Sequence, residues 1–105
     1  MVNVDVEAGA DDDDFGSVRL EDEGWGLCIQ ARTPDLLKLA GIQDTDWDQR
    51  RTLQVGTCAN TLVWWSERDG TVSIIIGDDD EAYDFLVLVR LSAVREILAQ
   101  LELQQ

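Results

Sequence analysis

The stretch that decides the fold is residues 61–81, Thr-Leu-Val-Trp-Trp-Ser-Glu-Arg-Asp-Gly-Thr-Val-Ser-Ile-Ile-Ile-Gly-Asp-Asp-Asp-Glu. Two apolar runs, rich in β-branched and aromatic residues, flank Arg68-Asp69-Gly70, and Asp-Gly between such runs is a strong hairpin signal. The second run stops at Gly77 and is followed by four consecutive acids, Asp78 to Glu81. The stretch therefore predicts two paired strands that end in a cluster of carboxylates.

Apolar runs on both sides of this hairpin predict further strands, at residues 17–21, 25–30, 50–55 and 83–91. The first two runs alternate between apolar and polar residues and predict a second hairpin. The last run is apolar on both faces, which is typical of a strand that is central in its sheet or covered on both sides.

Two helices are predicted as well. Thr33 and Pro34 suit the cap and the first position of a short helix, and Gly41 suits its end. After Ser92, apolar residues recur at the spacing of an amphipathic helix. We therefore expect an α+β fold: a single domain with a mainly antiparallel sheet of five to six strands, a short middle helix and a C-terminal amphipathic helix, with both helices on one face.

The N-terminal residues lack a comparable pattern. Their centre is Asp11 to Asp14, four adjacent carboxylates that repel one another. The sequence predicts a flexible acidic N-terminal tail over residues 1–16 and a single α+β domain over residues 17–105. The first ten residues have neither the basic cluster nor the apolar core of a secretory signal, so we expect a cytoplasmic protein.

The net charge is −14, from 22 acidic and 8 basic residues. This charge argues against direct binding to nucleic acid or to an anionic membrane, and it favours a basic protein partner. Solubility alone is the alternative explanation. The charge is uneven, however: residues 25–77 hold six acids and five bases, whereas residues 78–105 hold seven acids and two bases. The acids after the hairpin are therefore a local feature.

Several kinds of catalysis are excluded by residue type. The chain has no histidine, which removes histidine-based acid–base catalysis and most zinc sites, and no glycine-rich nucleotide loop is present. The consecutive acids from Asp78 to Glu81, with Asp84, do not match the spaced ligands of a calcium loop. We expect no enzyme activity, no catalytic residues, no metal and no cofactor.

Cys28 and Cys58 lie in apolar stretches without metal or redox spacing. We expect two buried reduced thiols, with a disulfide as the alternative.

Aromatic residues are the second candidates for function. Trp64 and Trp65 are adjacent in a predicted strand, so their side chains point to opposite faces of the sheet. If the helices cover only one face, one of the two tryptophans is exposed, and exposed tryptophan often anchors a protein interface. The alternative is that both faces are covered. Trp47, set among acids, is a further candidate anchor.

A small acidic domain that contains tryptophan and lacks histidine is similar in general character to bacterial immunity proteins that neutralise toxins, and to inhibitors that mimic DNA. This likeness implies a binding protein that inhibits or masks a basic partner such as a nuclease-like toxin. The residues expected to bind the partner are Asp78, Asp79, Asp80, Glu81, Asp44, Asp46, Asp48, Trp65 and Trp47.

The alternative hypothesis is a structural or assembly subunit, either a homodimer or a scaffold component without an inhibitory role. In that case the acids only keep the protein in solution. An exposed apolar face such as Val63, Trp65 and Ile75 would then pair with a second copy or a neighbouring protein.

Overall fold

Antiparallel strands follow one another across one sheet in chain order in the computed structural model, which describes residues 2–104. The seven strands are β1 (Asn3–Glu7), β2 (Phe15–Asp22), β3 (Trp25–Arg32), β4 (Leu53–Cys58), β5 (Thr61–Arg68), β6 (Thr71–Gly77) and β7 (Tyr83–Arg90). The helices are α1 (Thr33–Leu36), a first 3-10 helix (Leu37–Asp44), a second 3-10 helix (Trp47–Gln49) and α2 (Leu91–Gln104). The α+β class is confirmed, as are the antiparallel sheet and the C-terminal helix. The sheet is larger than the five to six strands predicted.

The hairpin predicted at residues 61–77 is formed by β5 and β6. Its turn places both Asp69 (φ 52°) and Gly70 (φ 82°) at positive φ, which is the backbone of a tight hairpin turn and explains why Asp-Gly is found there. Trp65 pairs with Ile74, and both side chains face the core. Trp64 pairs with Ile75, and both side chains lie on the outer face of the sheet.

The N-terminal segment differs from the predicted tail, because Asn3–Glu7 forms strand β1 and pairs with β2 along its whole length. Val6 is buried in the core. The four acids that suggested a tail lie in the connection between the two strands, where the Asp14 N–H donates to the Asp11 carbonyl at 2.9 Å. The prediction failed because the acids dominated the composition, although Val4 and Val6 already alternate with polar residues as in a strand.

The predicted middle helix is split. Only Thr33–Leu36 is α-helical, and the chain then continues as a 3-10 helix to Asp44. The cap position is held by Arg32, which makes no side-chain capping hydrogen bond, and Thr33 is the first helical residue. Gly41 has non-helical backbone angles (φ −94°, ψ 15°), so it kinks the 3-10 segment where the helix was predicted to end. The buried residues explain the difference: Leu36, Leu39 and Ile42 recur every third position, which is the period of a 3-10 helix.

The strand predicted at residues 50–55 begins later, as β4. Residues 45–52 instead form a separate segment, closed by a bridge between Asp46 and Arg51. Arg50 within it has a positive φ of 60°. A bulge at Gly56 (φ 81°) then interrupts β4, where an added Cβ would lie 2.6 Å from Ile29 Cγ2. The glycine thus allows β3 and β4 to approach closely.

One core joins the inner face of the sheet to the helices. Ala93, Val94, Ile97 and Leu101 form the buried stripe of α2, which packs mainly against β1. The largest fully buried side chain is that of Trp65, in the middle of the sheet. The sheet is curved enough that residues of its first and last strands line the same cavity. No helix in residues 2–104 has the length and apolar character that a membrane span requires.

Candidate interaction surface

The acids after the hairpin form a connection between β6 and β7, here named the acidic loop (residues 78–82). Asp80 is buried, with 4% of its surface exposed. One carboxylate oxygen accepts from Arg50 Nη2 at 3.1 Å, and the other accepts from Thr52 Oγ1 at 3.0 Å. Asp80 therefore fastens the loop to residues 50–52. It is not a surface carboxylate and does not offer its charge to a partner in this structure.

Trp47 makes the second contact that holds the acidic loop in place. Its indole Nε1 donates to the Asp80 carbonyl at 2.9 Å, and its ring lies 6.1 Å from the ring of Tyr83 at a tilt of 59°. The residue is only half-buried. A local sequence pattern does not reveal this contact, because Trp47 and Asp80 are 33 residues apart.

The other acids of the loop remain exposed. The Asp79 carboxylate accepts hydrogen bonds from the backbone N–H of Glu81 at 2.6 Å and of Ala82 at 3.0 Å. These backbone hydrogen bonds, first that of Ala82, and the nearby charge of Arg50 lower the pKa of Asp79. Glu81 forms an ion pair with Arg50 Nη1 at 2.9 Å. The loop thus presents carboxylates on a backbone that hydrogen bonds hold in place.

The acids around Trp47 are divided between two roles. Asp46 caps the second 3-10 helix, because its Oδ1 accepts from the Gln49 N–H at 3.3 Å. Asp48 forms an ion pair with Arg68 at the tip of the β5–β6 hairpin, at 3.2 Å. Asp44 is exposed. The structure therefore brings the segment with Trp47 beside the acidic loop, while arginines partly neutralise Asp46 and Asp48.

Neither tryptophan of β5 is a free anchor. Trp65 is fully buried in the core, where its Nε1 donates to the Val55 carbonyl at 3.0 Å, so it has no exposed surface for the predicted anchoring contact. Trp64 lies half-buried on the outer face and donates to the Gly77 carbonyl at 3.1 Å. Its neighbour Ile75 is also completely buried. On the outer face, the half-buried Trp64 and the buried Ile75 are therefore neighbours, and neither is a free surface side chain.

The apolar face suggested for self-association is absent from the surface, because Val63, Trp65 and Ile75 all have no exposed area. They also do not share a face. Val63 and Trp65 point into the core, whereas Ile75 pairs with Trp64 on the opposite side.

The exposed apolar residues lie on β7 instead. The run at residues 83–91 was expected to be central or covered, but β7 is the last strand of the sheet in the part of the chain that the structure describes. Tyr83, Phe85 and Leu88 expose 43%, 57% and 59% of their surface. The prediction is wrong here, because the strand with apolar residues on both faces is an uncovered edge strand and not a central or covered one. β7 directly follows the acidic loop, so the apolar and the acidic surfaces adjoin.

The opposite edge of the sheet, β1, is closed by α2. The side-chain amide of Gln100 accepts from the Val6 N–H and donates to the Val4 carbonyl, both at 2.8 Å. One turn later, Gln104 accepts from the Ala8 N–H at 2.8 Å and donates to the Val6 carbonyl at 2.6 Å. The two amides therefore take the place of a neighbouring strand along β1.

Cys28 and Cys58 are both free, half-buried thiols. Burial, and to a lesser degree the nearby Cys28, raise the pKa of Cys58, which keeps it protonated. In residues 2–104, no three acidic or cysteine side chains converge as ligands for a metal ion.

Comparison of the chain with protein-family models, with curated proteins and with solved structures finds no match.

Proposed function

We propose that this protein is a small acidic binding protein, cytoplasmic and non-enzymatic, that inhibits or masks a basic protein partner in the manner of an immunity protein, an antitoxin or a DNA-mimicking inhibitor. The observation that carries the proposal is the fixed acidic loop. Asp80 and Trp47 hold its backbone, so that Asp78, Asp79 and Glu81 are presented on a surface ordered before the partner arrives. An ordered array loses less conformational entropy on binding than a flexible acidic tail does.

Charge and aromatic area adjoin on this surface. Tyr83 and Phe85 are exposed at the start of β7, directly after the loop, and Trp47 packs against Tyr83. Carboxylates around aromatic side chains suit a basic partner, because the charges steer the encounter while the rings supply buried area. The surface that supports the proposal is therefore the loop with Trp47, Tyr83 and Phe85, without Trp65 and Asp80.

The experiment is a capture at low salt followed by kinetics. The wild-type protein is immobilised, basic proteins of the source cell that elute with rising salt are identified by mass spectrometry, and each is tested for loss of its own activity on binding. We expect one such partner to be inhibited. We also expect its association rate to fall about tenfold when Asp78→Asn, Asp79→Asn and Glu81→Gln are combined, with a smaller change in the dissociation rate.

A matched variant separates the acidic loop from the general charge. Asp11→Asn, Asp12→Asn and Asp13→Asn together remove the same charge from the exposed β1–β2 connection. If both triple variants slow association equally, the loop has no special role and the acids serve solubility. If no captured protein loses activity, the inhibitory function is wrong.

An assembly role is the second candidate function, and one observation favours it. The uncovered edge of β7 exposes apolar side chains next to main-chain groups that no other strand of residues 2–104 pairs with. This surface replaces the face of Val63, Trp65 and Ile75 as the place where a second chain would dock.

A further inference from the structure

Strand β7 lacks most of the features by which proteins protect an exposed sheet edge. Its regular part, residues 85–90, contains neither proline nor lysine, and the bulge in its pairing with β6 is confined to the Ile76–Gly77 end. At every second residue the N–H and C=O groups point away from β6, and nothing else in residues 2–104 forms a ladder with them. Such an edge is a template for another strand.

We propose that a second copy of this chain occupies this edge, through antiparallel pairing of β7 with β7 about a two-fold axis at Val87. In this register Leu86 lies opposite Leu88 of the second copy, and Phe85 opposite Val89. Asp84, at the bulged start of β7 just before its regular part, lies opposite Arg90 at both ends of the ladder. A two-fold interface makes every such pair twice, so the four charged residues form two ion pairs.

The charged residues Asp84 and Arg90 favour this register over the two adjacent registers. A two-fold antiparallel pair must be centred on a residue, so the nearest alternatives are centred on Leu86 or Leu88. With the axis at Leu86, Asp84 faces Leu88 and Arg90 faces Ala82; with the axis at Leu88, Asp84 faces Ser92 and Arg90 faces Leu86. Both alternatives leave the charges unmatched, and both place Arg90 against an uncharged side chain. Only the axis at Val87 pairs opposite charges and opposes leucine to leucine on the outer face.

A cavity borders the part of this edge where the second strand would pair. A cavity of about 600 Å³ is lined by residues 2–4 of β1, by Leu88, Val89 and Arg90 of β7 and by the start of α2. In the proposed register, residues 84–86 of the second copy lie opposite Leu88–Arg90 and therefore run beside this cavity. Leu88 is the most exposed large apolar residue of β7, and pairing with Leu86 would cover it.

Salt distinguishes this interface from binding to a basic partner. Each copy carries a net charge of −14, so two copies repel each other at long range. Salt screens this repulsion, whereas apolar burial and backbone hydrogen bonds are affected less. Self-association should therefore strengthen as salt rises, while association with a basic partner weakens. This interface and the proposed surface for a basic partner share Phe85, but they respond to salt in opposite directions, so the two proposals can fail separately.

The test is sedimentation of the full-length protein over a concentration series at low and at high salt, with charge-swapped variants. We expect a monomer–dimer equilibrium that shifts toward dimer at high salt. Asp84→Arg and Arg90→Asp should each raise the dimer dissociation constant about tenfold, because each replaces two opposite-charge pairs by two like-charge pairs. The double variant Asp84→Arg with Arg90→Asp restores both pairs and should return the constant to near the wild-type value.

The controls are Asp13→Arg and Arg19→Asp, which make the same charge changes at exposed positions away from β7. Weakening by both single swaps, with recovery in the double variant, identifies the register. A general charge effect would instead move the two single swaps in opposite directions, because Asp84→Arg lowers and Arg90→Asp raises the net negative charge of each copy. A wild-type protein that stays monomeric at about 100 μM in high salt overturns the proposal. So does a dimer that the swaps leave unchanged, or one that the double variant fails to restore. A monomer that instead binds an extended peptide along β7 also overturns it.

Discussion

Helix α2 covers the edge strand β1 of the sheet but leaves the other edge strand, β7, uncovered. At β1, Gln100 and Gln104 of α2 reach across to four main-chain groups and complete the hydrogen bonding of the strand. At β7 the helix begins directly after the strand and leaves its edge uncovered, with Phe85 and Leu88 exposed. Because an uncovered edge with apolar side chains is a template for another strand, the difference shows which edge of the described residues is closed and which is open.

The largest expected effect comes from opening the closed edge. Changing Gln100→Ala and Gln104→Ala together should lower the free energy of unfolding by about 2–3 kcal/mol, because four hydrogen bonds to β1 are lost. Urea unfolding measures the loss, and amide hydrogen exchange at Val6 and Ala8 should become faster. With two open edges, the variant should also associate more strongly than the wild type.

Glu102→Ala is the matched control, an exposed residue on the same helix. It should leave both the stability and the exchange at β1 almost unchanged. Equal losses in the control and in the double glutamine variant would mean that the glutamines act through the helix and not through the edge.

The second largest loss of stability is expected at the start of β7, the uncovered edge strand. Asp80→Ala removes the acceptor of Arg50 and Thr52 and should cost about 2 kcal/mol, because donors that face a buried carboxylate lose their partner. Hydrogen exchange should become faster in the acidic loop and at Tyr83, while β1 stays protected. Asp78 is the exposed neighbour of Asp80, and Asp78→Ala should change neither the stability nor the hydrogen exchange in the acidic loop. Faster exchange at both edges would show that Asp80 stabilises the whole domain and not the start of β7.

A smaller change in stability is expected from closing the open edge with charge. Leu88→Lys should alter the free energy of unfolding by about 0.5 kcal/mol or less, because Leu88 is largely exposed already. Sedimentation should nevertheless show weaker self-association, since a lysine on an edge strand opposes pairing. A lysine variant that dimerises as well as the wild type would show that β7 is not the contact.

The smallest effect is one of pH on the acidic loop. Folding lowers the pKa of Asp79 from its ordinary value of 3.8, mainly through the backbone hydrogen bonds from Ala82 and Glu81. The ionised carboxylate therefore favours the folded state above that value, and this contribution is lost as the pH falls through the lowered pKa. Asp79→Asn should make the acid side of the stability curve less steep. An acid limb identical to that of the wild type would argue against these hydrogen bonds in solution.

The prediction of the fold was most accurate where the signal is local. The β5–β6 hairpin and α2 were predicted close to their observed positions, because a turn sequence and an apolar stripe depend on residues a few positions apart. β1 was missed, since the acids at residues 11–14 outweighed the alternation of Val4 and Val6. The middle helix was predicted as α-helical, although its buried residues recur with the period of three that a 3-10 helix has.

The sequence predicted most residues of the candidate site, but it did not predict how their side chains are arranged. The acidic loop and Trp47 were both identified as partner-binding candidates, and the structure places them together through the bond from Trp47 to the Asp80 carbonyl. The burial of Trp65 and of Asp80 was not foreseen. Which tryptophan of an adjacent pair faces the core depends on where the helices pack, and no local pattern encodes that position.

The sequence alone determined the hairpin, the α+β class, the local concentration of acids after Gly77 and the absence of histidine chemistry. Only the tertiary structure decided which strands lie at the edges, and therefore which apolar residues are exposed. The physical reason is distance along the chain: Gln100 meets Val6 across 94 residues, and Arg50 meets Asp80 across 30. Contacts of this kind arise from the packing of the whole sheet, whereas secondary structure follows from near neighbours.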